Sequence, residues 1–332
     1  MKKAVNIKEI AELAGVSPAT VSRVINHNGR FSAETEARVR KIIAQNDYVP
    51  NMTAKSLRTN KTHVIGIMVP DITNPHFSTL VLNLEMNLFR NGYSCLICNT
   101  NENEELEKKH VKSFTAQNVS GVVMISSTRN YSELDSLPVV YVDRPSYSGS
   151  NTGIMIESDN VEGGYLATKE LLNAGCRKLV IVKCISNDNN QRARYEGFCK
   201  AIKEANISVG DTVCINLDEV SMNAGRKAIM QLFDKNIAFD GIMCTTDTIA
   251  AGVIVGLREY GLKVPDDILV TGFDDSQLAE ACGPGLTSVR QDVEKMAELA
   301  TTLLLKMIHG EKIENAYYRL PVSLTVRNSS RR

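Results

Sequence analysis

No stretch of this sequence approaches the roughly 18 consecutive apolar residues of a membrane span, and Met1 to Ile10 contain no apolar core of signal-peptide length. A cytoplasmic protein with no membrane partner is expected. Gly-x-Gly-x-x-Gly, the P-loop and Gly-x-Ser-x-Gly are all absent. The five histidines (27, 63, 76, 110 and 309) fit no metal spacing, and neither do the eight cysteines scattered from Cys95 to Cys282. Cys95 and Cys98 make one Cys-x-x-Cys, but Gly92 to Asn99 reads as a strand, on which positions i and i+3 face opposite sides. The cysteines therefore read as small buried hydrophobes in a reducing compartment. These absences argue against an enzyme, and no cofactor or metal is expected.

Net charge is also lacking: 38 basic residues balance 38 acidic ones. The average hides an uneven placement. Residues 1–60 hold ten Lys and Arg against five Asp and Glu, which leaves 28 against 33 for the rest. A basic head on a mildly acidic body fits one module that meets phosphates and another with a different task. At 332 residues with 43% apolar content, the chain is long enough for two or three globular domains.

Asn6 and Glu9 have the spacing of a reciprocal helix cap, and Ile7, Ile10, Ala11 and Ala14 follow on one helical face. Gly15 is suited to leave that helix in a left-handed conformation, and Ser17-Pro18 restarts a helix at once. The pattern predicts a helix-turn-helix. Val21, Val24 and Ile25 form the apolar stripe of the second helix, whereas Ala19, Ser22, Arg23 and Asn26 point away, with Pro18 and Thr20 at the margins. Such a short, polar, singly charged face suits a major groove about 12 Å wide, with Arg23 for a base edge and Thr20 and Ser22 for phosphates. A third helix from near Ser32 buries Val39, Ile42 and Ile43, with Tyr48 closing the core. Any three-helix domain with a solvated polar face shares part of this pattern. After Pro50, residues 51–58 suit two helical turns, too few to stand alone in water. Leu57, flanked by Lys55 and Arg58, has the character of a minor-groove wedge that orders on docking; a flexible linker with a packed Leu is the other reading.

Ile7 to Asn26, then Tyr48-Val-Pro-Asn51 and Ala54-Lys-Ser-Leu57, closely resemble the lactose/galactose-repressor family, and the resemblance runs to about Val326. Within it the sequence looks most like the sucrose- and ribose-operon repressors of Gram-positive bacteria. The resemblance implies a homodimer that reads a near-palindromic operator in double-stranded DNA. It assigns DNA contacts to Ser17, Pro18, Ala19, Thr20, Ser22, Arg23 and Asn26, and hinge contacts to Lys55 and Leu57. Many members have Arg at the place of Lys55.

Beyond Thr62 the periodicity changes. Val64 to Val69 is a continuous apolar run, as in a strand buried on both faces. A helix follows to Asn91-Gly92, then strand 93–98, helix 102–117 and strands 119–125 and 139–142. The cycle resumes with helix 161–174, strand 178–183, helix 191–205, strand 213–217, helix 223–234, strand 240–244, helix 247–260 and strand 268–273. The alternation predicts an α/β body of two parallel sheets with helices on both faces and a cleft between them. Together with the resemblance, this gives a three-helix helix-turn-helix head with its hinge helix (residues 1–60), joined to a two-lobed periplasmic-binding-protein-like body (61–328). Lobe 1 is 61–160 with 292–320, and lobe 2 is 161–290 with 321–328.

Loops at strand ends, Asp71–Phe77, Asp143-Arg144, Asn187–Arg194, Thr245–Asp247 and Asp274-Asp275, would bring carboxylates and guanidinium groups beside an aromatic ring, as a hydroxyl-rich ligand requires. The same Asp and Asn residues also suit helix caps, and Asp247 reads that way. The resemblance places His76, Phe77, Asp143, Arg144, Asn190, Arg194, Asp274 and Gln291 at the effector pocket, Arg194 being the arginine that members use on a sugar hydroxyl or a purine. Thr246 stands where some members have Asn, and Val220 where several have an aromatic. The expected function is a repressor of a carbohydrate-utilisation operon, released by a small sugar or sugar phosphate. The alternative is a global catabolite regulator with a phosphoprotein or phosphosugar co-repressor. Thr325 to Arg332 carry no apolar heptads, so a dimer is expected rather than a tetramer.

Overall fold

Asn6 starts the first helix of the head by a reciprocal cap. Its Oδ1 accepts from the main-chain N–H of Lys8 (2.9 Å) and Glu9 (3.1 Å), and the Glu9 carboxylate accepts from Asn6 N–H at 2.8 Å. Helix α1 (Ile7–Ala14) ends on Gly15 at φ 63°, a left-handed position that costs a Cβ-bearing residue and not glycine. Ser17 then caps α2 (Pro18–Ile25), and Ser32 caps α3 (Ala33–Gln45). Each cap is worth about 1 kcal/mol. Ile10, Ala11, Ala14, Val21, Val24 and Val39 are buried at the centre, with Phe31, Ile42, Ile43 and Tyr48 packed around them. The helices form where the sequence patterning places them.

The computed structural model describes residues 5–48, 62–125, 131–143, 153–185 and 189–332. The chain divides into two units, Met1–Thr62 and His63–Arg332. The expected hinge with Lys55 and Leu57 lies outside the described residues, as does Arg144.

The second unit is built on two six-stranded sheets. Strands β1 (Val64–Val69), β2 (Ser94–Asn99), β3 (Gly121–Ile125), β4 (Val139–Val142), β5 (Ile154–Ser158) and β11 (Tyr317–Leu320) make the first, in the order β11-β5-β4-β3-β1-β2, all parallel. Strands β6 (Leu179–Cys184), β7 (Val213–Leu217), β8 (Gly241–Cys244), β9 (Leu269–Asp274), β10 (Thr287–Gln291) and β12 (Val322–Thr325) make the second, in the order β12-β10-β9-β8-β6-β7. There β12 alone runs antiparallel to its neighbour β10, a departure from the all-parallel expectation. It follows β11 across the single residue Pro321 and so enters the second sheet from the first.

Both faces of each sheet are covered, which is why the strands read as continuous apolar runs. In the first sheet, Ile65, Ile67 and Val69 pack under α4 (Pro75–Arg90) and α11 (Val293–His309), while Met68, Val122 and Met124 pack under α5 (Glu104–Ala116). Cys95 joins the first of these cores and Cys98 the second, so the two thiols do face opposite sides. In the second sheet, α6 (Asn160–Asn173) and α7 (Asn189–Glu204) cover one face, and α8 (Met222–Asp234) and α9 (Asp247–Glu259) the other. Helices α6 and α7 cross in contact at two glycines. A Cβ on Gly164 would lie 2.1 Å from Arg194 O, and one on Gly197 would lie 2.0 Å from Val161 O.

Strands β5, β10, β11 and β12, the short helix α10 (Gln277–Ala281) and the 17-residue α11 fall where the sequence reading assigns nothing; the short elements, of four or five residues, show too little periodicity to register. The helix expected at 102–117 starts at Glu104, since Asn101 and Glu102 both adopt positive φ and Asn103 supplies the cap. The second unit also continues past residue 328. Ser329 accepts from Thr287 N–H at 2.8 Å and donates to Val270 O at 2.6 Å, and Ser330 is buried with it. The chain passes from first sheet to second at Asp159, returns at Asp292, and passes again at Pro321.

Candidate functional site

Helix α2 presents one polar face. Ser17, Pro18, Ala19, Arg23 and Asn26 are exposed, and Thr20 and Ser22 are half-buried, while Val21 and Val24 point into the core. The face is held in shape from within. Ser17 Oγ accepts from Thr20 N–H at 3.2 Å, and Asn26 Nδ2 donates to Ser22 O at 2.7 Å. The Arg23 stem lies over Gly29, where a Cβ would come 3.1 Å from its Cδ. All seven residues expected at the groove thus lie on one short helix or at its caps, and each is at least partly exposed.

In the second unit, strand ends of the two sheets converge on a narrow cleft with only about 10 Å3 of free volume. Its first-sheet wall holds Asn74, His76, Phe77 and Asp143, and its second-sheet wall holds Asn190, Arg194, Thr246 and Asp274. Except for the half-buried Asn74, the polar side chains here are at most 7% exposed, so their partners decide their state. His76 Nε2 faces Asp143 Oδ1 at 3.3 Å, and its ring meets the Phe77 ring edge-on with centroids 5.3 Å apart. Arg194 is fixed on three sides: Nε donates to Asn160 Oδ1 (2.8 Å), Nη1 donates to Thr245 O (2.6 Å), and its guanidinium lies 3.6 Å over the Phe273 ring. Its Nη1 is also 3.7 Å from Asp274 Oδ1, which accepts from Gln291 Nε2 at 2.8 Å. Asn190 Nδ2 donates across the cleft to Asp143 O at 3.0 Å.

Asp143 (φ 72°) and Asp274 (φ 114°) both hold a backbone conformation that L-residues rarely adopt. Strain of about 1–3 kcal/mol at each, on the two carboxylates that face one cavity, is characteristic of a binding site. Burial works against charge on His76, but Asp274 and Asp143 outweigh it and hold its pKa above the usual histidine value. Burial raises Asp274, with His76 and Arg194 opposing. Two carboxylates, an imidazole and a guanidinium, all buried, therefore share one cleft.

Three sequence expectations change. Thr246, not Asp247, caps α9, its hydroxyl accepting from Ile249 N–H at 3.2 Å. Asp247 is buried and accepts from Ser276 N–H (2.8 Å), Ser276 Oγ (2.9 Å) and Ser288 Oγ (2.5 Å). Burial and the neighbouring Asp274 push its pKa up to about 7. Val220 does not line the cavity; it packs on the second-sheet core. Gln291 reaches the cleft only through Asp274 and borders a wider neighbouring space. Sequence reasoning also misses Asn74, Asn160 and Phe273. Asn160 had a signal, since it follows the strand end at Ser158 where the chain changes sheets.

Among the described residues, no group of three or more His, Cys, Asp or Glu side chains is placed to hold a metal ion. None of their helices is long and apolar enough to cross a membrane.

Residues 6–51 match the family "Bacterial regulatory proteins, lacI family", and residues 168–330 match "Periplasmic binding protein-like domain". The ribose operon repressor of Halalkalibacterium halodurans is 32% identical over 98% of this chain and 97% of its own length. The HTH-type transcriptional repressor PurR of Pasteurella multocida is 32% identical over 97% of this chain and 98% of its own. Among solved structures, the lac repressor dimer bound to operator and the anti-inducer ONPF superimposes with a TM-score of 0.89 at 25% identity, covering 99% of this chain and 100% of that one.

Proposed function

The chain belongs to the lacI family of bacterial regulatory proteins, as a transcription repressor and not an enzyme, and on that premise we propose that a small carbohydrate in its cleft controls its hold on operator DNA. The observation that carries the ligand is the convergence of Asp143, Arg194 and Asp274 from two sheets on one cavity beside Phe77. Carboxylates accept from vicinal hydroxyls, the guanidinium donates to them, and the ring covers an apolar sugar face.

The head docks α2 in the major groove, Arg23 on a base edge and Ser17, Thr20 and Ser22 on phosphates. Residues 51–58 form the hinge, with Lys55 on the backbone and Leu57 as the wedge, and Arg144 joins the effector contacts. The lac repressor in the solved complex is a dimer, and this chain pairs likewise. Exposed Leu82, Met86 and Phe89 at helical spacing on α4, with exposed Ile97 on the edge strand β2, support pairing through the first lobe. The protein works in the cytoplasm, where its DNA is. Coupling requires only that the sugar bind one lobe arrangement better than another; about 1.4 kcal/mol of difference is tenfold in operator affinity.

Thermal melting of the full chain with a panel of free sugars tests the cleft. A sugar at a hundred times its dissociation constant adds about 2.7 kcal/mol and raises the melting temperature by several degrees. Equal melting temperatures across the whole panel would count against a carbohydrate effector.

A further inference from the structure

Asp274 and Asp275 are consecutive residues with positive φ, 114° and 49°, at the end of β9. Neither is glycine, so this turn persists only while its surroundings over-determine it. The groups that do so come from the end of β12 and the residues after it. The N–H of Asp275 donates to Ser288 Oγ at 3.0 Å, Thr325 Oγ1 donates to its Oδ2 at 2.8 Å, and Arg327 Nη1 lies 2.7 Å from its Oδ1. The Asp275 side chain is 9% exposed, which makes this a largely desolvated, charge-assisted pair rather than a surface one.

Arg327 does not reach in from solvent. Its Nη1 also donates to Leu286 O at 2.8 Å, and its main-chain N–H donates to Thr287 Oγ1 at 2.8 Å. Its stem passes over Gly285, where a Cβ would come 3.3 Å from its Cδ. With stem and backbone already fixed, holding Asp275 costs the guanidinium little further side-chain entropy. Beyond it, Ser329 accepts from Thr287 N–H, and the hydroxyls of Ser330 and Thr287 meet at 2.7 Å. These neutral bonds anchor the segment to β10 without touching the turn. Thr325 and Arg327 border neither the cleft nor the wider space beside it.

We propose that Thr325 and Arg327 are positioning residues for the effector: from outside the cleft they hold Asp275, and through it they keep the Asp274 carboxylate aimed at the ligand. This rests on the carbohydrate reading of the cleft and adds that affinity is set in part by a segment that does not line it. Without the pair the turn relaxes, and Asp274 leaves its place 3.7 Å from Arg194 and its bond to Gln291. The second sheet itself stays, because β10 remains paired with both β9 and β12.

Two measurements on the full-length protein test this. Amide hydrogen exchange reads the turn without any ligand. Arg327→Met removes the charge and keeps most of the stem, and exchange at Asp275 and Ser276 should rise at least about tenfold relative to β8. Thr325→Val, the milder change, should act in the same direction by about threefold, and Arg327→Lys should recover part of the protection. Ser329→Ala, which loses the anchors to Thr287 and Val270 O, should leave the turn within about twofold.

Calorimetry with D-ribose, D-glucose, D-fructose, D-galactose, sucrose and maltose reads the consequence. Affinity for the sugar that binds should fall at least about tenfold in Arg327→Met, a difference of about 1.4 kcal/mol. It should return in part in Arg327→Lys, fall about threefold in Thr325→Val and stay within about twofold in Ser329→Ala. Unchanged exchange at the turn, faster exchange with unchanged affinity, or an equal loss of affinity in Ser329→Ala would overturn the positioning role and leave the carbohydrate reading standing. No binding of any of these sugars by the unaltered protein would overturn that reading and this inference with it.

Discussion

The side-chain amide of Asn190 donates to the main-chain oxygen of Asp143 at 3.0 Å, a hydrogen bond between a helix of the second sheet and a strand end of the first. It spans the cleft directly, beside the carboxylate that faces His76. A bond of this kind exists only when the lobes are close, so it contributes to the closed arrangement and not to either lobe alone. Asn190→Ala is expected to weaken effector binding by about 0.5–1.5 kcal/mol, three- to tenfold. Operator affinity without effector should stay within twofold. Calorimetry and DNA-binding titration on the same preparation check both halves.

Arg194 lies on Phe273 and donates to Asn160 and Thr245 O, with Asp274 3.7 Å away. Its removal leaves Asp274 buried with less compensating charge, and breaking a buried pair costs about 3–5 kcal/mol. Arg194→Ala is expected to lose the sugar response and lower stability in urea by about 3 kcal/mol. Arg194→Lys cannot reproduce the planar fork and should also lose the response, at smaller cost in stability.

Gly197 has no room for a side chain, because a Cβ would lie 2.0 Å from Val161 O on the neighbouring helix. Gly197→Ala forces the two helices apart and should destabilise the chain by about 3 kcal/mol, more than it gains in helix propensity. Since Arg194 sits one turn earlier on that helix, effector affinity should fall with stability. Urea unfolding and calorimetry together report this.

Asp247 sets a pH dependence. Its pKa rises from 3.8 to about 7 on folding, first through burial and then through Asp274. Between those values the folded chain holds a proton that the unfolded chain has released. Stability from this group is therefore complete below pH ~4 and declines as pH rises toward ~7. Asp247→Asn should flatten that decline, measured as urea midpoints at a series of pH values. An unchanged slope would place the titration elsewhere.

Arg23 is exposed on the groove-facing side of α2. Arg23→Ala should cost about 1–3 kcal/mol on the selected operator and much less on random DNA. A uniform loss on both would make Arg23 a phosphate contact instead.

The head was legible in the sequence because its determinants are local. Asn6, Gly15, Ser17 and Ser32 act within a few residues of themselves, and the structure has each in its expected cap. The strand-helix alternation was legible too, since strands such as Val64–Val69 bury both faces. What escaped depends on long-range contact. Asn160 and Thr245 meet Arg194 across 34 and 51 residues, and Phe273 comes under the guanidinium only when β9 and α7 pack. Asp247 reads locally as a cap, yet Ser276 and Ser288, 29 and 41 residues on, claim its carboxylate. Val220 was assigned to the pocket by resemblance alone, and here its apolar side chain goes to the core.

Operator affinity with and without effector tests the central claim, that occupancy of the cleft controls the head. Fluorescence anisotropy on a near-palindromic site selected from random DNA should show at least a tenfold loss of affinity, about 1.4 kcal/mol, when the binding sugar is saturating. Arg194→Ala should show none of that loss. Equal operator affinity in the presence and absence of a sugar that demonstrably fills the cleft would contradict it.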